Sequence, residues 1–196
     1  ATHPVSSQAS RLSKLEGIDG MTSAKVIIIM GSSSDREHAD KIRSRLAEWG
    51  IAVEMRVASA HKSAHHLLAL LQAYEATGGP RVYITIAGRS NALGGMVDAN
   101  VSAPVITCPP YSDRFAGADL YSSLRMPGGV SPMVVLEPEN AALAVAKIIG
   151  LVEPAVQQMV QNLQEEQKIR IIEDDKKLSA LSDQQSTQTV EPGRRC

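Results

Sequence analysis

Lys25-Val-Ile-Ile-Ile-Met-Gly-Ser-Ser-Ser-Asp35 decides the fold. From Val26 to Met30 the run is apolar, mostly β-branched and without polar alternation, as in a parallel strand buried on both faces. It stops at Gly31, and three serines and an aspartate lead into a helical pattern. There Ala39, Ile42, Leu46 and Trp49 recur every three or four residues, and Gly50 closes the helix. A buried strand, a hydroxyl-rich turn and an amphipathic helix predict the first βα unit of a parallel sheet.

The same grammar continues outward. Val53–Val57 predicts a second strand, followed by the loop Ser59-Ala60-His61-Lys62 and a helix carrying Leu67, Leu68, Leu71 and Tyr74. Gly78-Gly79-Pro80 stops that helix. A third strand, Val82–Ala87, runs into Gly88-Arg89-Ser90-Asn91 and a short helix. Pro104–Cys108 predicts a fourth strand, broken by Pro109-Pro110, and Met133–Leu136 a fifth, before a helix from Glu139 to Ile149. Strands alternating with helices imply right-handed βαβ units, hence an α/β fold with helices on both faces of a central parallel sheet. The connection from Pro109 to Pro132 is long, and long connections in compact domains are usually functional.

Composition narrows the functional classes. The chain has 196 residues, with 20 Lys+Arg against 21 Asp+Glu. That balance argues against a nucleic-acid binder, which needs clustered cations. Aromatics at 3% disfavour a base-stacking platform. Two cysteines, Cys108 and Cys196, make no disulfide framework and suit a reducing, cytoplasmic setting. The apolar run Val26–Met30 is far too short for a membrane span.

Four segments are expected. Residues 1–20 read as a flexible leader, native or added ahead of Met21, and residues 21–151 as the catalytic or binding domain. Residues 152–181 read as an amphipathic C-terminal helix starting at Pro154, with Val156, Val160 and Leu163 on one face. Such a helix buries little alone and needs a partner surface. Residues 182–196 read as a disordered tail.

In open parallel sheets ligands sit beyond the carboxyl ends of the strands, where strand order reverses. The loops Gly31–Asp35, Ser59–Lys62 and Gly88–Asn91 all follow strands, so they should meet at one edge. The first suits a phosphate, because free N–H groups and a helix dipole point there. Ordinary N-capping by Ser34 or Asp35 explains the same residues without any ligand and is the default reading by spacing alone. It is neither a Walker loop nor a dinucleotide fingerprint. His61 is a proton carrier or a solvated loop residue. His61 and His65, with His66 beside them, have the spacing of metal ligands but lack a completing Glu or Cys, so no metal is expected. Arg89, Arg114 and Arg125 can bind an anion or serve solubility. Cys108, without an activating neighbour, reads as structural rather than nucleophilic.

The motifs Gly31-Ser-Ser-Ser-Asp35, Ser59-Ala-His-Lys62, Ala87-Gly-Arg-Ser-Asn91 and Ser122-Ser-Leu-Arg-Met-Pro127, in this order, resemble the PurE family of purine biosynthesis. The likeness covers Lys25 to Leu151. It is greater to the class II type, the aminoimidazole ribonucleotide (AIR) carboxylases, which are fused to a synthetase in animals. Lys62 stands where the class I mutase has Arg, Arg89–Gly94 lacks the mutase's second His, and Cys108-Pro109-Pro110 fits class II; Gly95-Met96 is shared with the mutase loop. The resemblance implies a flavodoxin-like three-layer sandwich, here with an added C-terminal helix, and homo-octamers whose active sites use neighbouring subunits. It implies reversible carboxylation of 5-aminoimidazole ribonucleotide by CO2 at C4, without ATP, biotin, metal or other cofactor. The resemblance assigns proton transfer to His61 and the ribose phosphate end to Gly31, Ser32, Ser34, Asp35 and Lys62. Ser59, Gly88, Arg89, Ser90 and Asn91 are expected around the base and its carboxylate, with Ser122 and Arg125 closing the site. A class I mutase and a catalytically silent purine-nucleotide binding protein are the alternatives.

Overall fold

The computed structural model describes residues 23–113 and 116–188. The leader 1–20, Arg114 and the end of the tail therefore lie outside the described residues. Five strands, β1 (Lys25–Met30), β2 (Val53–Val57), β3 (Arg81–Ile86), β4 (Val105–Thr107) and β5 (Met133–Val134), form a single sheet. The order is β2-β1-β3-β4-β5 and every pairing is parallel. This is the α/β architecture expected from the strand and helix alternation, and it is flavodoxin-like, as the family resemblance implies. The chain adds β2 on one side of β1, then crosses to add β3 on the other, so the order reverses at β1.

Six α-helices accompany these strands among the described residues, with short 3-10 turns at Ser33–Asp35 and Ala118–Leu120: α1 (Arg36–Glu48), α2 (Ala64–Ala76), α3 (Ala92–Asp98), α4 (Tyr121–Leu124), α5 (Pro138–Ile149) and α6 (Pro154–Gln188). Strand side chains alternate between the two faces of the sheet. Ile27, Ile29, Tyr83, Ala87 and Val105 pack with Leu67, Leu70 and Leu71 of α2 and Leu93 and Val97 of α3. On the opposite face α1 packs against α5. There Ala39, Ile42 and Leu46 meet a helix rich in small residues, with Ala141, Ala142, Val145 and Ala146 fully buried. Burying the three fully enclosed isoleucines of β1 alone is worth about 2 kcal/mol each, which explains the unbroken apolar run.

The turn between α2 and β3 is held by a buried cation. Arg81 donates to the carbonyls of Tyr74 and Gly78 and lies 3.6 Å from Glu75. Glu75 also accepts from the Tyr83 hydroxyl at 2.9 Å and from the Ser102 hydroxyl at 3.2 Å.

The chain divides into two units, with the boundary inside α6 between Gln157 and Gln158. The helix does not end at Leu181, the expected limit, but continues to Gln188 into the stretch read as a disordered tail. Beyond Gln158 its Ile169, Ile171, Ile172, Leu178 and Leu181 are exposed.

Candidate active site

Main-chain hydrogen bonds level the carboxyl ends of the central strands. Gly31 N–H donates to the Ile86 carbonyl at 2.8 Å, and Ala58 N–H to the Met30 carbonyl at 2.9 Å. The loops after β1, β2 and β3 thus start side by side. They enclose a cleft of about 400 Å³ lined by Gly31, Ser32, Ser34, Asp35, Ser59, Ala60, His61, Lys62, Ala87, Gly88, Arg89, Ser90 and Leu93. Ten of the thirteen residues expected at the site line it; Asn91, Ser122 and Arg125 do not.

The first loop is a reciprocal cap. Ser32 Oγ accepts from the Ser34 N–H at 3.2 Å and from the Ser34 hydroxyl at 2.9 Å, while Asp35 Oδ2 accepts from the Ser32 N–H at 3.1 Å. Ser32 caps the short 3-10 turn Ser33–Asp35 that leads into α1, while Asp35 stands at the N-cap position of α1, as expected of it, but turns its carboxylate back to the Ser32 N–H rather than onto the helix. Burial pushes the Asp35 carboxyl above its ordinary range, opposed by the Ser32 N–H and by His38. A compact turn with its hydroxyls at the cleft and a helix following is a polar cradle for an anion.

The second loop is pinned by two serines. Ser59 N–H donates to Ser63 Oγ at 2.8 Å, and Lys62 N–H to Ser59 Oγ at 3.2 Å. This closes a tight turn before α2 and leaves His61 and Lys62 exposed at its apex, both lining the cleft. His65 and His66 point their chemistry elsewhere: both are exposed on α2 outside the cleft lining.

The third loop carries backbone strain. Arg89 has φ of 61°, a left-handed conformation uncommon for a residue with a side chain. Ser90 N–H folds back to the Gly88 carbonyl at 2.8 Å. Asn91 then turns inward, only 1% exposed. Its amide donates to Thr107 Oγ1 and, at 2.8 Å, to Ser123 Oγ; its Oδ1 accepts from the Gly94 N–H at 3.2 Å. Its own N–H donates to Ser122 Oγ at 2.9 Å, and the Ser122 hydroxyl donates to the Asp119 carbonyl at 2.7 Å. Arg125, directly after α4, is exposed.

His38 is a residue that sequence reasoning passed over. It sits on the first turn of α1, half-buried, with Nε2 3.4 Å from Cys108 Sγ. Burial pushes the Cys108 thiol up to about 12, helped by Glu137 and Glu139, so this sulfur is a structural neighbour and not a nucleophile. His38 directly precedes Ala39 of the apolar stripe, but nothing in the sequence pairs it with a cysteine 70 residues away.

Chemically, the cleft joins hydroxyls and a capped helix start on one side, an imidazole and an ammonium on the second, and a guanidinium on the third. That set suits a small anionic ligand whose reacting atom exchanges a proton.

The family model described as AIR carboxylase matches residues 25–170. A phosphoribosylaminoimidazole carboxylase of Treponema denticola is 56% identical over 153 residues, covering 78% of this chain and 96% of the relative. One of Archaeoglobus fulgidus is 53% identical over 154 residues, covering 79% and 84%. The crystal structure of Treponema denticola PurE superposes with a TM-score of 0.77 at 55% identity, covering 79% of this chain and 98% of that one. No helix among the described residues is long and apolar enough to cross a membrane.

Proposed function

Because the chain belongs to the AIR carboxylase family, we propose that it catalyses the reversible carboxylation of 5-aminoimidazole ribonucleotide by CO2, giving the 4-carboxy nucleotide in purine biosynthesis in the cytoplasm. The observation that carries the reading is the convergence of His61, Lys62, Arg89 and the Ser32–Asp35 cap on one cleft.

The aminoimidazole is an enamine, so its C4 is already nucleophilic and the reaction needs neither ATP nor a metal. C4 attacks CO2, the C–C bond forms, and the proton on C4 must leave to restore the aromatic ring. His61 takes that proton; in reverse its imidazolium returns it to C4 and CO2 departs. Gly31, Ser32 and Ser34 border the phosphate end, with the Ser32 hydroxyl donating to it, Asp35 accepts from ribose hydroxyls, and Lys62 supplies charge. Ser59, Gly88 and Ser90 border the base, and Arg89 anchors CO2 and the nascent carboxylate with several donors in a fixed fork. Holding CO2 over C4 replaces an encounter in solution by a positioned one.

Tyr111, Tyr121, Leu124, Met133 and Leu136, from the segments in and around α4 and β5, are exposed, as is Arg125. So much exposed apolar surface supports a homo-oligomer, an octamer in this family, in which Ser122 and Arg125 complete sites with neighbouring copies.

The test supplies 5-aminoimidazole ribonucleotide with bicarbonate-buffered CO2, and separately the N5-carboxy nucleotide, without ATP or a synthetase. Product from the first and little from the second is expected. Turnover of the N5 compound alone would make the chain a mutase, and tight binding without turnover of either a silent nucleotide binder.

A further inference from the structure

Asn91 was expected to touch the base, yet its hydrogen-bonding capacity is committed inside the protein. An asparagine offers two side-chain donors and one backbone donor. Here the side-chain donors go to Thr107 Oγ1 and Ser123 Oγ, and the backbone donor goes to Ser122 Oγ. No donor remains for a ligand, and the residue is 1% exposed. Its partners belong to β4, to α4 and, through Gly94, to its own helix α3. One buried amide therefore ties three chain segments together.

What it ties is the turn that carries Arg89. A left-handed arginine persists only where its surroundings hold it, and Asn91, two residues on, is the fixed end of that turn. Gly94 shows how closely the joint is packed. A Cβ there would lie 3.2 Å from Thr107 Oγ1 and 3.3 Å from both amide atoms of Asn91. The same joint holds α4, whose next residue is Arg125.

We propose that Asn91 is a positioning residue, which clamps the Gly88–Asn91 turn to β4 and α4 and so sets the backbone from which Arg89 and Ser90 reach the cleft. The proposal rests on the carboxylase reading of that cleft. Misplacing a CO2-anchoring group by about 1 Å costs on the order of a hundredfold in rate. A clamp built from directional hydrogen bonds fixes a turn more narrowly than apolar packing does.

The test uses Ser123→Ala, which removes one of the clamp's acceptors without touching the cleft, alone and combined with Arg89→Ala. Decarboxylation of the 4-carboxy nucleotide is followed, with melting temperature as a check on folding. Ser123→Ala is expected to lower kcat about tenfold or more with KM changed little, and to add nothing in the Arg89→Ala background. A kcat within about twofold of wild type, or an equal loss in both backgrounds, overturns the proposal. Hydrogen exchange separates the clamp from the reaction. The Gly88–Asn91 amides should exchange about tenfold faster in Ser123→Ala while those of β1 stay protected. If the wild-type chain turns over neither nucleotide, the carboxylase reading falls and exchange alone decides the clamp; unchanged exchange overturns it.

Discussion

His38 Nε2 lies 3.4 Å from Cys108 Sγ, joining the first turn of α1 to the end of β4 across the sheet edge. The Cys108 sulfur is also 3.4 Å from the Leu136 carbonyl, so it stands between the imidazole and the end of β5. Burial lowers the His38 pKa from its ordinary 6.5, reinforced by Lys41 and opposed by Cys108, Asp35 and Glu137. A depressed histidine binds fewer protons folded than unfolded. Its contribution is complete above the unfolded value, 6.5, and is lost as pH falls through the lower folded value. Denaturant titrations at about pH 7.5 and about pH 5.5 should therefore show wild type losing more stability than His38→Gln. Equal losses would mean that His38 is not the group responsible.

Arg81 should be the most sensitive charged residue away from the cleft. It is 7% exposed and caps carbonyls of the Gly78–Gly79 turn, while Glu75, its ion-pair partner, also receives Tyr83 and Ser102. Arg81→Met keeps the stem's packing but leaves those carbonyls and a partly buried carboxylate without their cation. A loss of about 2–3 kcal/mol is expected, below the full value for a buried pair because Glu75 keeps some solvent. Urea denaturation with an unchanged slope measures it.

The sheet was legible because its central strands are buried on both faces, which gives β1 its unbroken apolar run Val26–Met30 and keeps β3 apolar but for Arg81, Tyr83 and Thr85. Parallel strands then place every strand-end loop at one edge, so three polar loops were enough to locate the cleft. What was not legible is which polar residue at a strand end turns inward. Asn91 and Ser90 are neighbours of similar polarity. Asn91 is buried because Thr107 and Ser123, 16 and 32 residues away, offer acceptors at the right depth. Local spacing carries no trace of that. Trp49 shows the same limit on the helix face. It falls on the expected apolar stripe but is half-exposed, roofed by the Arg45 guanidinium 4.8 Å from its ring. Leu70, off the stripe read for α2, is buried in the core instead.

Gly94→Ala should disturb the site without entering it. Helix propensity favours alanine at this position by about 1 kcal/mol. The new methyl, however, would press on Thr107 Oγ1 and on the Asn91 amide, which are locked to each other. Overpacking of this kind costs about 1–3 kcal/mol, so the net change is destabilising or near neutral, and carboxylase activity should fall more than stability does. Melting temperature and turnover measured on the same sample check both halves; full activity would show that the joint yields freely.

His61→Asn tests the chemistry itself. Asparagine keeps a planar polar side chain at the apex of the Ser59–Ser63 turn, and the turn's hydrogen bonds involve Ser59, Lys62 N–H and Ser63 rather than the imidazole. The loop should therefore keep its shape, and the phosphate end, which we propose Ser32, Ser34 and Lys62 hold, should keep its affinity. What is lost is a group able to take a proton from C4 and give it back. General acid–base catalysis is worth about 10²–10⁴-fold, so kcat should drop by that factor or more in both directions while the nucleotide Kd moves little. Isotope exchange at C4 sharpens the reading. In deuterated water the aminoimidazole nucleotide formed by wild-type decarboxylation should carry deuterium at C4, since the carboxylated C4 has no hydrogen of its own and the entering one comes from a solvent-exchanging group. Near-normal decarboxylation by His61→Asn would show that the proton travels by another route, and the assignment of His61 would fall while the cleft's role in binding stood.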